Sequence, residues 1–231
     1  MKTYNLLVGG SPESLPENWK DFDGEWIGVD RGALRLIELG QASQVAIGDF
    51  DSVNKKEFNK IDTKFMYVIK LNPIKDDTDT ESAVKYVLEE DPHAHIRIFG
   101  ISGGRLDHLL ANILMVVQDR FRMFAEQIEL IDRQNYIRFF NSGKHTVNKQ
   151  NGFKYLSFIP LTQIDALTLD DEKYELHNEM VTNARAYVSN EFIGSTATVY
   201  LSNGLVECIE SKYYCNYKKI VYQKTIVFLL D

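Results

Sequence analysis

The strongest constraint on the fold of this chain is a change of hydrophobic period partway along it. Up to about residue 140, short β-rich runs alternate with stretches of helical period, and beyond that point β-like runs follow one another without helices. Runs at 5–8, 26–29, 44–47, 65–69, 95–99 and 128–131 read as strands, and 33–39, 55–61, 81–89 and 106–122 as helices. In the last helix Leu106, Leu109, Leu110, Ile113, Leu114 and Val117 recur at three- and four-residue steps, which predicts one apolar stripe laid on a sheet. Strands alternating with helices of this length imply parallel βαβ units, so the first half is expected to be a three-layer α/β/α domain with a mostly parallel sheet. The later runs, at 154–159, 166–169, 173–177, 186–188, 197–201 and 206–209, predict a small antiparallel β-sandwich. Asn203-Gly204 separates the last two runs and is a preferred pair for a tight hairpin turn. The expected division is therefore 1–142 and 143–231.

Composition excludes several classes of function. Hydrophobic residues make up 44% and charged residues 26%, enough to bury a core and unlike a disordered chain. The net charge of −7 argues against nucleic acid as a partner, because phosphate backbones are held by basic surface. A nucleotide remains compatible with an acidic chain when a divalent metal supplies positive charge locally. The two cysteines, Cys208 and Cys215, form no disulfide framework and point to a reducing compartment. The N-terminus runs straight into an apolar strand without a signal-peptide core, and no apolar run approaches the roughly 20 residues that span a bilayer. A cytoplasmic location with no membrane partner is expected.

The chemistry lies in where the carboxylates fall. Asp30-Arg31-Gly32, Gly48-Asp49-Phe50-Asp51-Ser52, Lys75-Asp76-Asp77-Thr78-Asp79 and Gly103-Gly104-Arg105-Leu106-Asp107-His108 each follow a strand and precede a helix. In open α/β sheets that edge binds ligands. Carboxylates gathered there repel one another and raise each other's pKa, a cost that a hard cation removes. Mg²⁺ suits such a rim, since it takes one or two carboxylates together with phosphate oxygens and water. Simpler roles exist for each cluster. Asp49 and Asp51 suit a turn with Ser52 capping the next helix, and Gly103-Gly104 suits a turn before a helix that welcomes Asp107 in its first turn. His108 alone suits a helix surface. Thr78 and Glu81 have capping-box spacing, a structural role that leaves the Asp79 carboxylate free. Gly9-Gly10-Ser11 ends the first strand where backbone can approach a phosphate. No P-loop, no Gly-x-Gly-x-x-Gly after the first strand and no protein-kinase signature set occurs.

Taken in this order, the motifs resemble the thiamine pyrophosphokinase family from Asn5 to about Lys212. The resemblance rests on Gly48-Asp49-Phe50-Asp51-Ser52, Asp76-Asp77-Thr78-Asp79-Thr80-Glu81 and Gly103 to His108 with Leu110-Ala111-Asn112. It continues through Tyr155-Leu156-Ser157, Tyr174-Glu175-Leu176 and Ser189-Asn190-Glu191-Phe192. It implies a homodimer with shared active sites, in which ATP donates its β,γ-pyrophosphate to the thiamine hydroxyl and AMP leaves. It further implies Asp49, Asp51 and Asp79 as magnesium ligands, Asp30 and Asp107 lining the same site, and Ser189 and Asn190 facing thiamine. Lys75 and Arg105 are then expected to take phosphate charge that the metal does not reach, and Asp76 or Asp107 to accept the hydroxyl proton. Two features depart from the family: Arg31 stands where many members have glycine, adding a phosphate contact or only a surface charge, and the tail from Tyr213 has no counterpart.

Overall fold

A computed structural model describes residues 1–212. Its first part runs β1 (Thr3–Leu7), β2 (Glu25–Val29), α1 (Arg31–Glu38), β3 (Val45–Gly48), α2 (Lys55–Lys64), β4 (Tyr67–Lys70), α3 (Asp79–Glu90), β5 (His95–Phe99), α4 (Leu106–Leu114), α5 (Asp119–Arg122) and β6 (Ile128–Ile131). Side by side these strands lie in the order β6-β5-β1-β2-β3-β4, all parallel. Alternate side chains enter opposite cores, as the pleat requires. Leu6, Ile27, Ile47 and Ile98 pack with Ala83, Val84 and Val87 of α3. Their neighbours Leu7, Trp26, Ala46 and Phe99 pack with Ala33, Leu34 and Leu36 of α1 and Ile61 of α2. Helices on both faces make the three layers expected from the alternating pattern.

The strand order reverses at β1. The chain lays down β2, β3 and β4 on one side of β1, then crosses over to place β5 on the other side. Beyond that reversal the backbones stay close: Gly10 N donates to Gly100 O at 2.8 Å. A Cβ on Gly10 would sit 1.9 Å from that oxygen, so only glycine fits.

The helix expected over 106–122 is instead three pieces. α4 ends at Leu114, a 3₁₀ turn covers Met115–Val117, and α5 follows Gln118, whose extended backbone (φ −67°, ψ 137°) breaks the helix. The apolar arc is wider than one face can bury. Leu109, Ile113 and Val117 pack against the core, whereas Leu106, Leu110 and Leu114 are 68%, 48% and 50% exposed. The single stripe on a sheet is therefore corrected to one packed row and one exposed row.

The second part comprises β7 (Asn135–Asn148), β8 (Tyr155–Pro160), β9 (Ile164–Asp170), β10 (Leu176–Val181), β11 (Tyr187–Glu191) and β12 (Thr196–Ser211). β7 pairs antiparallel with β6 and so continues the parallel sheet into the antiparallel strands. Positions 142 and 143 lie inside β7. The two runs at 197–201 and 206–209 belong to one long strand, and Asn203-Gly204 does not reverse the chain. It forms a bulge: four steps along β12 from Leu201 to Leu205 match two along β7 from Gly143 to Asn141. Gly204 has φ +85°, and a Cβ there would lie 2.5 Å from Gln163 O. Asn203 Oδ1 accepts from Asp165 N at 2.8 Å. The pair thus bends β12 so that its first half pairs with β9 and its second with β8. Between those two leaves lie Leu156, Phe158, Leu167, Leu169, Phe192, Val199, Leu201 and Cys208, the sandwich core. The run expected at 173–177 becomes strand only from Leu176, because Lys173 N and Tyr174 N donate to Glu191 O and Asn190 Oδ1 of β11 and Glu172 bridges to Phe192 instead.

Among the described residues no helix is long and apolar enough to cross a membrane. Cys215 and the tail from Tyr213 lie outside the described residues.

Candidate active site

A cleft of about 550 Å³ opens over the strand-order reversal. The end of β1 gives it Val8, Gly9 and Gly10, the end of β5 gives Gly100 and Ile101, and the loops after β2, β3 and β4 bring the charged side chains. This is the crevice that a doubly wound sheet leaves outside the carboxyl ends of its strands.

Each aspartate is aimed by local backbone. Asp30 follows β2 with φ +49°, and its N–H donates to Ile47 O at 2.8 Å. Phe50 has φ +59°, an uncommon conformation for a side chain of this size. Phe50 is buried and its ring centroid lies 5.3 Å from that of Phe58, so packing holds the turn and points Asp49 inward. Asp49 Oδ1 accepts from Asp51 N at 3.1 Å. Asp79 opens α3, where the expected capping box is present: Thr78 Oγ1 accepts from Glu81 N at 3.1 Å and Glu81 Oε2 from Thr78 N at 2.7 Å. The cap consumes Thr78 and Glu81 and leaves Asp79 to the cleft.

Oxygens of Asp30, Asp49 and Asp79 lie within 4.8 Å of one another. The Lys75 ammonium sits against them, 3.2 Å from Asp49 Oδ2 and 2.9 Å from Asp79 Oδ1. Burial pushes the carboxyl pKa values of Asp30 and Asp79 above the usual range, with the charge of Asp49 adding to both. Burial acts the same way on Asp49, but the Asp51 N–H and Lys75 outweigh it and hold Asp49 below the usual range. One oxygen of Asp30 is buried with no hydrogen-bond partner. Three oxygen donors this close, one unsatisfied, fit a hard divalent cation such as Mg²⁺.

Of the residues singled out in the sequence, Asp30, Arg31, Asp49, Asp51, Lys75, Asp79 and Arg105 line the cleft, joined by His108 and Asn112. Asp51 is exposed at its edge, and Asp30 completes the close trio with Asp49 and Asp79. The Arg31 guanidinium donates to Ser52 O at 2.5 Å, tying the start of α1 to the loop after β3. Arg105 is gripped by Asp107, with bonds of 3.1 and 2.5 Å to its two oxygens. Asp76 and Asp107 are exposed and lie outside the cleft lining, as do Ser189 and Asn190 on β11. Asn190 is buried and its amide is saturated by Glu172, Tyr174 and Glu191. Sequence reading overlooked Gly100, whose φ of +75° carries the turn beside Gly10, and Glu172, which carries no motif. The only sign of Glu172 in the sequence is its place in the acidic run Asp170-Asp171-Glu172.

The chain matches known proteins along most of its length. Residues 17–128 match the thiamin pyrophosphokinase catalytic domain, and residues 144–206 match the thiamin pyrophosphokinase vitamin B1 binding domain. The thiamine pyrophosphokinase of Bacillus subtilis is 36% identical over 215 residues, covering 91% of this chain and 99% of that protein. The crystal structure of a thiamin pyrophosphokinase family protein from Enterococcus faecalis superposes with a TM-score of 0.87 at 36% identity, covering 93% of this chain and all of that one. The Bacillus subtilis crystal structure gives a TM-score of 0.80 at 35% identity, covering 91% and 99%. With both domain models and near full-length relatives in agreement, the chain belongs to the thiamin pyrophosphokinase family.

Proposed function

We propose that this chain transfers the β,γ-pyrophosphate of ATP to the hydroxyl of thiamine, forming thiamine diphosphate and AMP, with Mg²⁺ as cofactor. The observation that carries this reading is the Asp30–Asp49–Asp79 trio with Lys75 among its oxygens, at the mouth of the strand-order reversal. Asp49 and Asp79 would hold Mg²⁺ with Asp30 beside them, and Asp51 at the edge completes the set implied by the resemblance. When bound, Mg²⁺ neutralises triphosphate oxygens and draws electron density from phosphorus.

The chain's own residues do the positioning. Gly9 and Gly10 let backbone approach the phosphates closely, and Lys75, Arg31 and Arg105 supply positive charge around them. Asp107 orients the Arg105 fork. Asp76, exposed between the cleft residues Lys75 and Asp77, is the carboxylate we assign to the hydroxyl proton. Ser189 hydrogen-bonds thiamine, and Asn190 sets the strand that carries Ser189.

The first 142 residues therefore bind ATP and metal, and the part from 143 binds thiamine. Ser189 does not line its own chain's cleft, and α4 beside that cleft exposes Leu106, Leu110 and Leu114. We infer a homodimer in which these leucines are covered and each site is shared. ATP and thiamine are the small-molecule partners, and the low cysteine content fits a cytoplasmic enzyme. AMP release from Mg-ATP tests the reading: it should require thiamine, and release that ignores thiamine would overturn it.

A further inference from the structure

A buried carboxyl outside the cleft has no role in the chemistry described so far. Glu172 is 1% exposed, and its Oε2 accepts from Asn190 Nδ2 at 2.6 Å while its Oε1 is buried without a hydrogen-bond partner. An apolar side chain would fill this place without the penalty of burying polar atoms, so a purely packing role does not explain a carboxyl here. Its one bond is to Asn190. The second Asn190 N–H donates to Tyr174 O at 2.8 Å, and Asn190 Oδ1 accepts from Tyr174 N at 2.9 Å and Glu191 N at 3.0 Å. Every donor and acceptor site of that amide is therefore taken.

What this clamp adjoins is Ser189. Three steps along β11 from Tyr187 to Asn190 match two along β8 from Phe158 to Leu156, so β11 carries one extra residue at this point. Ser189 lies in that bulge at φ +62°, its N–H donating to Ser157 Oγ at 3.3 Å. Its hydroxyl is exposed and makes no hydrogen bond among the described residues. A serine in the left-handed region stays there only when both flanks are held, and bulges commonly re-aim a side chain beside a site. Ser157 holds one flank and the Glu172–Asn190 clamp holds the other.

We propose that Glu172 is a positioning residue for thiamine, fixing Asn190 so that the β11 bulge presents the Ser189 hydroxyl to the substrate. This rests on the proposed binding of thiamine at Ser189. Burial, with Asp170, Glu175 and Asp171 nearby, pushes Glu172 up to about 8, so a neutral carboxyl makes the bond at neutral pH.

Steady-state kinetics of the full chain with Mg-ATP and thiamine, each varied in turn, test the proposal. Glu172→Met fills the space without an acceptor, and Glu172→Gln keeps a neutral oxygen at the same reach. Glu172→Met should raise the thiamine KM roughly five- to tenfold while the ATP KM and kcat stay within about twofold, and Glu172→Gln should restore the thiamine KM. If Glu172→Met loses the fold by circular dichroism, Glu172→Asp withdraws the acceptor by one methylene and the same readings apply. Ser189→Ala is measured alongside. A thiamine KM raised by Ser189→Ala but unmoved by the Glu172 variants overturns the positioning role alone. One unmoved by Ser189→Ala overturns the pocket and the proposal together, and Glu172→Gln as impaired as Glu172→Met overturns the hydrogen-bond argument.

Discussion

The ammonium of Lys75 lies 2.9 Å from Asp79 Oδ1, an ion pair between the loop after β4 and the first residue of α3. It also reaches Asp49 at 3.2 Å, so one tethered cation serves two carboxylates that would otherwise face each other across the cleft. Burial alone would lower the Lys75 pKa, but Asp79 and Asp49 outweigh it and raise it. Lys75→Met should therefore destabilise the metal-free protein by about 1–3 kcal/mol, as two half-buried carboxylates lose their counter-charge. Mg²⁺ should raise the melting temperature of the variant more than that of the wild type. Thermal melts in EDTA and in Mg²⁺ decide it, and an equal response from both proteins would remove Lys75 from the carboxylate site.

Asp30 stands differently, because its raised pKa marks it as a group that the fold accommodates poorly when charged. Asp30→Asn should leave the metal-free protein as stable as the wild type or more so, while weakening Mn²⁺ binding measured by electron paramagnetic resonance. Stability and metal affinity falling together would show that Asp30 serves packing.

Asp51 is exposed, so Asp51→Asn should shift the melting temperature by no more than about 2 °C while abolishing turnover. A variant that keeps wild-type turnover would leave the trio without Asp51 as the whole metal site.

The parts of this protein that were legible in the sequence are those encoded by local period and local chemistry. The parallel strands and their carboxyl-end aspartates could be read because each βα unit carries its own apolar run and turn, and α3 its own cap in Thr78 and Glu81. Features set by distant partners could not be read in this way. Asn203-Gly204 has the composition of a hairpin turn, yet Thr162, Gln163 and Asp165 seize it and bend a continuous strand. The leucines of α4 have helical period, but the period does not say which rows find a core, and the row at Leu106, Leu110 and Leu114 finds none among the described residues. Asp30 joins the acidic trio through the pairing of β2 with β3, which brings Asp30 beside Asp49 although 19 positions separate them. The Glu172–Asn190 bond joins the connection between β9 and β10 to strand β11, and no spacing rule reveals it.

Two buried acids contribute strongly to the pH dependence of stability. Burial raises Glu207 to about 7 and, with neighbouring acids, Glu172 to about 8. Both stay protonated in the folded chain while the unfolded chain ionises from about pH 4.5 upward. The folded state therefore binds more protons between these limits, and stability falls as pH rises from about 5 to 8, on the order of 3 kcal/mol per group. Urea midpoints measured across that range should decline, and Glu207→Gln should flatten part of the slope. A midpoint that rises from pH 5 to 8 would contradict the burial of these side chains as neutral acids.

If the leucine row of α4 is covered by a second copy, Leu110→Glu should give a monomer by light scattering and lose most turnover. A monomeric wild-type protein with full activity would contradict the shared site.

The products of a single short incubation reveal which phosphorus is attacked. With Mg-ATP and thiamine, chromatography of the initial products should show AMP and thiamine diphosphate in equal amounts. ADP with thiamine monophosphate would contradict transfer of a pyrophosphoryl group by this cleft.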